Sequence, residues 1–150
     1  MTPRLRPLGV GLAMAALLPL TGCGGNDYDA YCGELKRHQK EMSEMIDSTS
    51  QAALLSHLPM LHDLAEKSPK DLADEWQVFV GALDDLEKTI KAAGVKPSDF
   101  VDDKPPAGLS DSDRRAIADA ADQVSTDQVV QAVNGIEQEG RDVCKVNLGV

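Results

Sequence analysis

The sequence predicts an all-α domain: a four- to five-helix bundle with one disulfide joining the first and last helices. Three observations lead there. Apolar residues recur at helical spacing along most of the chain, best at Leu72, Trp76, Phe79, Leu83, Leu86 and Ile90, whose intervals are 4, 3, 4, 3 and 4. No run of alternating β-branched residues marks a strand. The chain has 3 cysteines, Cys23, Cys32 and Cys144, and the first belongs to a processing motif, which leaves an even pair.

The processing motif closes an export signal. Arg4 and Arg6 open the chain with no acid nearby, and an apolar run of about 13 residues follows from Leu8 to Leu20. A stable membrane-spanning helix needs roughly 20 such residues, so the run is too short to be a permanent span. Leu20-Thr21-Gly22-Cys23 then resembles a lipobox. Small residues before the cut fit a narrow protease groove, and the free thiol takes diacylglycerol as a thioether. The expected organisation is a cleaved lipoprotein signal peptide over 1–22, a lipidated Cys23 with a short tether over 23–28, and the helical bundle over 29–150. Each buried CH₂ of the acyl chains adds about 0.8 kcal/mol to anchoring. The expected address is the extracytoplasmic face of the cell membrane, held there by the lipid on Cys23.

Outside the cytoplasm, Cys32 and Cys144 are expected to form a disulfide. A loop of that length gives an upper estimate of about 4–5 kcal/mol from chain entropy. A metal or redox pair is the competing reading, but there is no CxxC spacing and no suitably placed histidine.

Length and composition bound the rest. A chain of 150 residues holds one ordinary domain, and with only 3% aromatic residues its core rests on Leu, Val, Ile, Met and Ala. The net charge is −10, and loss of Arg4 and Arg6 with the signal makes the remainder more negative. Such a surface repels phosphate backbones and anionic headgroups, so nucleic acid is not an expected partner.

The helices follow in order. The first starts near Asp27 or Asp29 and runs to about Asp47, with Tyr28, Tyr31, Cys32, Leu35, Met42, Met45 and Ile46 on its apolar stripe and Lys36, Arg37, Lys40, Glu41 and Glu44 opposite. Ser48-Thr49-Ser50 breaks it. The second carries Leu54, Leu55, Leu58, Leu61 and Leu64, with a kink or restart expected at Pro59. Ser68-Pro69-Lys70-Asp71 predicts the start of the third, which Gly94 ends and Pro97 keeps from continuing. A proline-rich connection occupies 95–109. Ser110 with Asp113 resembles a capping box opening the fourth helix, which shows Ile117, Ala121 and Val124. Ser125 with Gln128, and Val124 with Val129 as a hydrophobic staple, predict the start of the fifth, which carries Val129, Val133, Ile136, Gly140, Val143 and Cys144.

No catalytic constellation stands out. No Ser lies in a Gly-x-Ser-x-Gly elbow, and no Gly-rich phosphate loop follows a strand. His38, His57 and His62 lack the spacing of a helical metal pair. Asp99, Asp102 and Asp103 are the acids best placed for a weak calcium ion, although capping and solvation account for most such clusters. Met42, Met45, Met60 and Trp76 fit either a ligand groove or, more ordinarily, core. Tyr28, Tyr31 and His38 are the residues a haem or small-molecule site would use.

Several segments resemble a family of uncharacterised small lipoproteins of high-GC Gram-positive bacteria (actinobacteria). They are the lipobox Leu20 to Cys23, Tyr31-Cys32, Lys36-Arg37-His38-Gln39-Lys40-Glu41, Asp74-Glu75-Trp76, Lys104-Pro105-Pro106-Ala107-Gly108-Leu109-Ser110 and Arg141-Asp142-Val143-Cys144. The resemblance implies the same address and a single disulfide. It brings no activity and no catalytic residues. The functional expectation is a membrane-anchored, non-enzymatic module that binds a protein partner in the envelope, marked by an exposed apolar patch or a groove beside the proline-rich loop. The alternative is a small-molecule or haem-binding helical module, marked by a closed apolar pocket.

Overall fold

The computed structural model describes residues 25–47, 51–101 and 103–148. The expected signal peptide, the lipidated Cys23 and the Ser48-Thr49-Ser50 break lie outside the described residues. The described chain is all-helical, with α1 at Gly25–Asp47, α2 at Gln51–Ser56, α3 at Leu58–Glu66, α4 at Ala73–Ala92, α5 at Asp111–Val124 and α6 at Asp127–Asp142. None of these helices is long and apolar enough to cross a membrane.

Six helices replace the expected four or five because Pro59 divides the second. It has no N–H to give to the ladder, so α2 ends at Ser56, and His57 caps a new helix in which Pro59 occupies the first turn. Helix α1 begins at Gly25, so residues 25–28, expected to belong to a tether, are helical. Asp27 in the first turn suits the positive end of the helix dipole, and the Tyr28 hydroxyl donates to Asp71, fastening that turn to the segment before α4.

Helix α4 is the hub, packing on α3, α5 and α6. Its stripe of Trp76, Phe79, Val80, Leu83, Leu86 and Ile90 is buried, as the spacing predicts. The start of α4 is corrected. Ser68 does not cap it; its hydroxyl donates to the Ala65 carbonyl at the end of α3. Pro69 lies in a turn closed by Leu72 N–H to the Pro69 carbonyl, and Leu72 is the N-cap. Gly94 ends α4 as expected: it adopts φ 76°, and Val95 and Gly94 N–H groups return to the carbonyls of Ile90 and Lys91. These paired bonds form a Schellman motif, which needs a left-handed residue where glycine is least strained.

Ser110 caps α5, its oxygen accepting from Asp113 N–H at 3.1 Å, in agreement with the sequence reading. The N-cap of α6 is Thr126 rather than Ser125, which ends α5. Val124 and Val129 are both buried, but the shifted cap removes them from staple register.

Cys32 and Cys144 are joined, with Cα atoms 5.0 Å apart across a separation of 112 residues. Cys144 lies just beyond α6, which ends at Asp142, so the bridge ties α1 to the segment after the last helix. Val143, expected on the buried stripe, is 44% exposed because the helix ends before it. The tail then folds back: Val146 N–H donates to the Gly140 carbonyl, the Asn147 carbonyl accepts from Gln39, and Val146 and Leu148 are buried. A Cβ on Gly140 would lie 3.2 Å from Leu35 Cδ2 and 3.4 Å from Leu148 Cδ1, so the absence of a side chain permits this close approach.

The core centres on Trp76. Its indole N–H donates to the Tyr31 hydroxyl at 3.1 Å, and the two rings meet edge to face with centroids 6.3 Å apart. Burial pushes the Tyr31 hydroxyl up to about 12, against the opposing hydrogen bond from Trp76. Tyr31→Phe keeps the ring and leaves the buried indole N–H unpaired. The expected loss is about 1–3 kcal/mol of unfolding free energy, read from denaturant titration; an unchanged midpoint would contradict the pairing.

Candidate functional site

The proline-rich connection is ordered by local bonds. Pro97–Asp99 forms one 3-10 turn. Lys96 N–H donates to Asp99 Oδ2 at 2.9 Å, and Val101 and Lys104 exchange backbone hydrogen bonds of 3.2 and 2.9 Å across a tight turn. Asp103 holds the left-handed conformation at φ 57° that this turn requires. Leu109 then buries and returns the chain to α5.

Beneath this loop is an apolar cavity of about 130 Å³. Its floor is the far end of the α4 stripe, Leu86 and Ile90, with Leu55 from α2 and Ile117 from α5. Pro97, Phe100 and Pro105 of the loop form one wall, and Ala118 and Ala121 of α5 form the other. Asp103 and Arg114 stand at the rim. The Arg114 Nε lies 3.7 Å from Asp111 Oδ1, a loose pair on a carboxylate side chain that is 86% exposed. Val101, on the adjoining turn, is the most exposed large apolar residue among the described residues, at 70%.

The volume limits the occupant. An apolar cavity of roughly 150 Å³ takes one benzene ring, whereas pockets for drug-sized ligands run to about 300–1,000 Å³. The groove under the loop therefore has room for one ring or one branched side chain. Two prolines fix the backbone of its wall, so little conformational freedom is lost on binding.

The residues that a haem or small-molecule site would use are not gathered on this cavity. Tyr31 is in the core with Trp76, and Tyr28 is bonded to Asp71. His38 Nδ1 lies 3.2 Å from Glu41 Oε2, and His57 Nδ1 lies 3.0 Å from Glu41 Oε1. His62 Nε2 pairs with Asp84 across α3 and α4 at 2.9 Å. Met42, Met45, Met60 and Trp76 are buried core. Among the described residues no three His, Cys, Asp or Glu side chains are placed to hold a metal ion. Of the acids considered for calcium, Asp99 accepts from Lys96 N–H and Asp102 lies outside the described residues.

Sequence reasoning placed Leu55, Leu86, Ile90 and Ile117 in the core and missed that they stop short of filling it. It also missed Phe100, Arg114 and Ala118. An aromatic residue inside a proline-rich loop was the available signal. A second omission is Glu34, buried at 5% exposure on α1. Lys67 donates to one carboxylate oxygen and Arg37 pairs with the other.

Comparison of the chain with models of known protein families, with curated proteins and with solved structures finds no match.

Two carboxylates make the fold sensitive to acid. The hydrogen bond from Lys67, with the charge of Arg37, holds Glu34 below the usual carboxylate range, and His38 and His57 do the same for Glu41. A folded-state pKa below the unfolded one gives stability that is present above the unfolded value and is lost as pH falls through the folded value. The melting temperature should therefore drop below about pH 4.5, the usual carboxylate range. In Glu34→Gln and Glu41→Gln the deficit relative to the parent should shrink between pH 6 and pH 3. A deficit that stays constant across that range would contradict the assignment.

Proposed function

We propose that the protein is a lipid-anchored, non-enzymatic module of the cell envelope that binds a protein partner through the groove beneath its proline-rich loop. The observation that carries this reading is the apolar cavity of about 130 Å³, walled on one side by Pro97, Phe100 and Pro105. Its size suits one inserted side chain, and insertion of a single large side chain into a desolvated pocket is how partner recognition concentrates binding energy. Val101, exposed next to the lining residue Phe100, offers a partner further apolar area.

The anchor rests on the sequence. Arg4 and Arg6, the apolar run from Leu8 and the lipobox ending at Cys23 favour export and lipidation. The resemblance to small actinobacterial lipoproteins supports the same address. With α1 starting at Gly25, Cys23 would hold the domain close to the membrane surface rather than on a stalk. The acidic composition disfavours nucleic acid as a partner.

The test is site-specific photo-crosslinking in the native cell. A photoreactive residue at Val101 or Ala118 should give one discrete adduct in the membrane fraction, and the same residue at exposed Lys88 on α4 should not. Cys23→Ala should move the protein out of the membrane fraction and remove the adduct. Equal adducts from all three positions, or none from the groove, would overturn the docking site; membrane retention of Cys23→Ala would overturn the anchor.

A further inference from the structure

We infer that a second groove, on the cationic face of α1, binds a phosphate group, carried by a soluble phosphate ester or by a lipid headgroup. It is separate from the groove beneath the proline-rich loop and does not depend on it.

Helical spacing sets the face. Lys36, Gln39, Lys40 and Ser43 stand at i, i+3, i+4 and i+7, so they share one side of α1, and Arg37 stands beside them. The chain beyond the disulfide supplies the opposite wall. Gln39 Nε2 donates to the Asn147 carbonyl at 2.9 Å, Val146 N–H donates to the Gly140 carbonyl, and the buried Val146 and Leu148 fix the tail on either side of Asn147. Between helix and tail lies an open groove of about 400 Å³, lined by Lys36, Arg37, Gln39, Lys40, Ser43 and Asn147. That is within the range of about 300–1,000 Å³ typical of small-molecule sites.

Three cations and no carboxylate line this groove. Neighbouring acids balance them only in part. Glu34 is shared between Arg37 and Lys67, so one carboxylate meets two cations. Lys40 pairs with Glu44 at 2.6 Å. Lys36 has no ion-pair partner among the described residues. Lys36, Arg37, Lys40 and Lys67 against Glu34 and Glu44 leave a surplus of two positive charges, in a chain whose net charge is −10. Lys36 and Lys40 are also a like-charge pair one helical turn apart, an unfavourable arrangement that a bound anion relieves.

The donors choose among anions. A carboxylate is planar and is satisfied by one guanidinium fork. A phosphate ester brings three acceptor oxygens and a charge of roughly −1.5 to −2. That matches the surplus, and the ammonium groups, the guanidinium and the Ser43 hydroxyl can reach it from different sides. Arg37 and Lys40 are 69% and 87% exposed, so donors not spent on Glu34 and Glu44 face solvent. Lys36 follows Gly25 by 11 residues, about 17 Å along the axis of α1. A headgroup is thus within reach of a helix lying along the bilayer; this source alone rests on the anchor at Cys23.

The experiment follows amide NMR signals of the full-length protein in a neutral detergent, with glycerol phosphate as the probe. Lys36, Lys40, Ser43 and Asn147 should shift in a saturable way, and acetate should bind about tenfold more weakly. Lys36→Gln should weaken glycerol phosphate about fivefold, the upper range for one exposed charge pair, without moving the melting temperature. Lys88→Gln removes the same charge from an exposed position of α4 and should leave binding unchanged. The same amides are then followed in nanodiscs of phosphatidylcholine with and without phosphatidylglycerol. Shifts brought by phosphatidylglycerol support the site with a headgroup as its ligand; shifts with glycerol phosphate alone support it with a soluble ester. No saturable shift with either overturns the site. Acetate binding as tightly as glycerol phosphate overturns the choice of phosphate. Equal weakening by Lys36→Gln and Lys88→Gln means attraction by net charge alone and overturns the groove as the seat of binding.

Discussion

Burial of one stripe of α4 is the constraint on which the rest of the structure depends. Trp76 and Phe79 at one end make the centre of the core, and Leu86 and Ile90 at the other end floor the groove. Helices α3, α5 and α6 each cover part of α4. Two of the chain's five aromatic residues, Trp76 and Phe79, lie on that stripe, and both are buried. The indole N–H cannot be buried alone, and Tyr31 of α1 both accepts its hydrogen bond and packs against its ring. One polar contact thereby sets the register of α1 against the hub.

Covalent and ionic ties hold the outer layer to that hub. The disulfide fixes the segment after α6 to α1, and the tail beyond it covers Leu35 with Leu148 across Gly140. Glu34, Arg37 and Lys67 clamp α1 to the end of α3, and Glu41 with His57 adds a second tie at the α2–α3 junction. These contacts cluster on the α1 side of the domain. The groove is assembled by α2, α4, α5 and the loop, none of which carries a bridged cysteine.

The legible part of this fold was the part written locally. The 4, 3, 4, 3, 4 spacing of α4, the glycine stop at Gly94, the Ser110 cap and the pairing of Cys32 with Cys144 all appear in the sequence as periodicity, a special residue or arithmetic. Local chemistry misled where two helix ends competed for one residue. Ser68 had the form of an N-cap for α4 but satisfies a carbonyl of α3, and Ser125 closes α5 while Thr126 opens α6. Pro59 was visible as a break, and only the structure shows that it makes two helices. A groove beside the proline-rich loop was expected, but its lining was not legible, because Leu55, Ile90, Phe100 and Ile117 come from four separate segments. Leu55, Ile90 and Ile117 have the pattern of core residues, and periodicity does not say where a core fails to close. Glu34 was invisible for a related reason: its partner Lys67 lies 33 residues away.

The end of the α4 stripe floors an apolar cavity, and xenon binding tests that most directly, since an apolar cavity of this size takes up xenon. Methyl NMR under xenon pressure should shift Leu55, Leu86, Ile90 and Ile117 in a saturable way while Leu35, Leu61 and Leu64 stay fixed. No saturable shift at the four groove methyls, or equal shifts throughout the core, would contradict it.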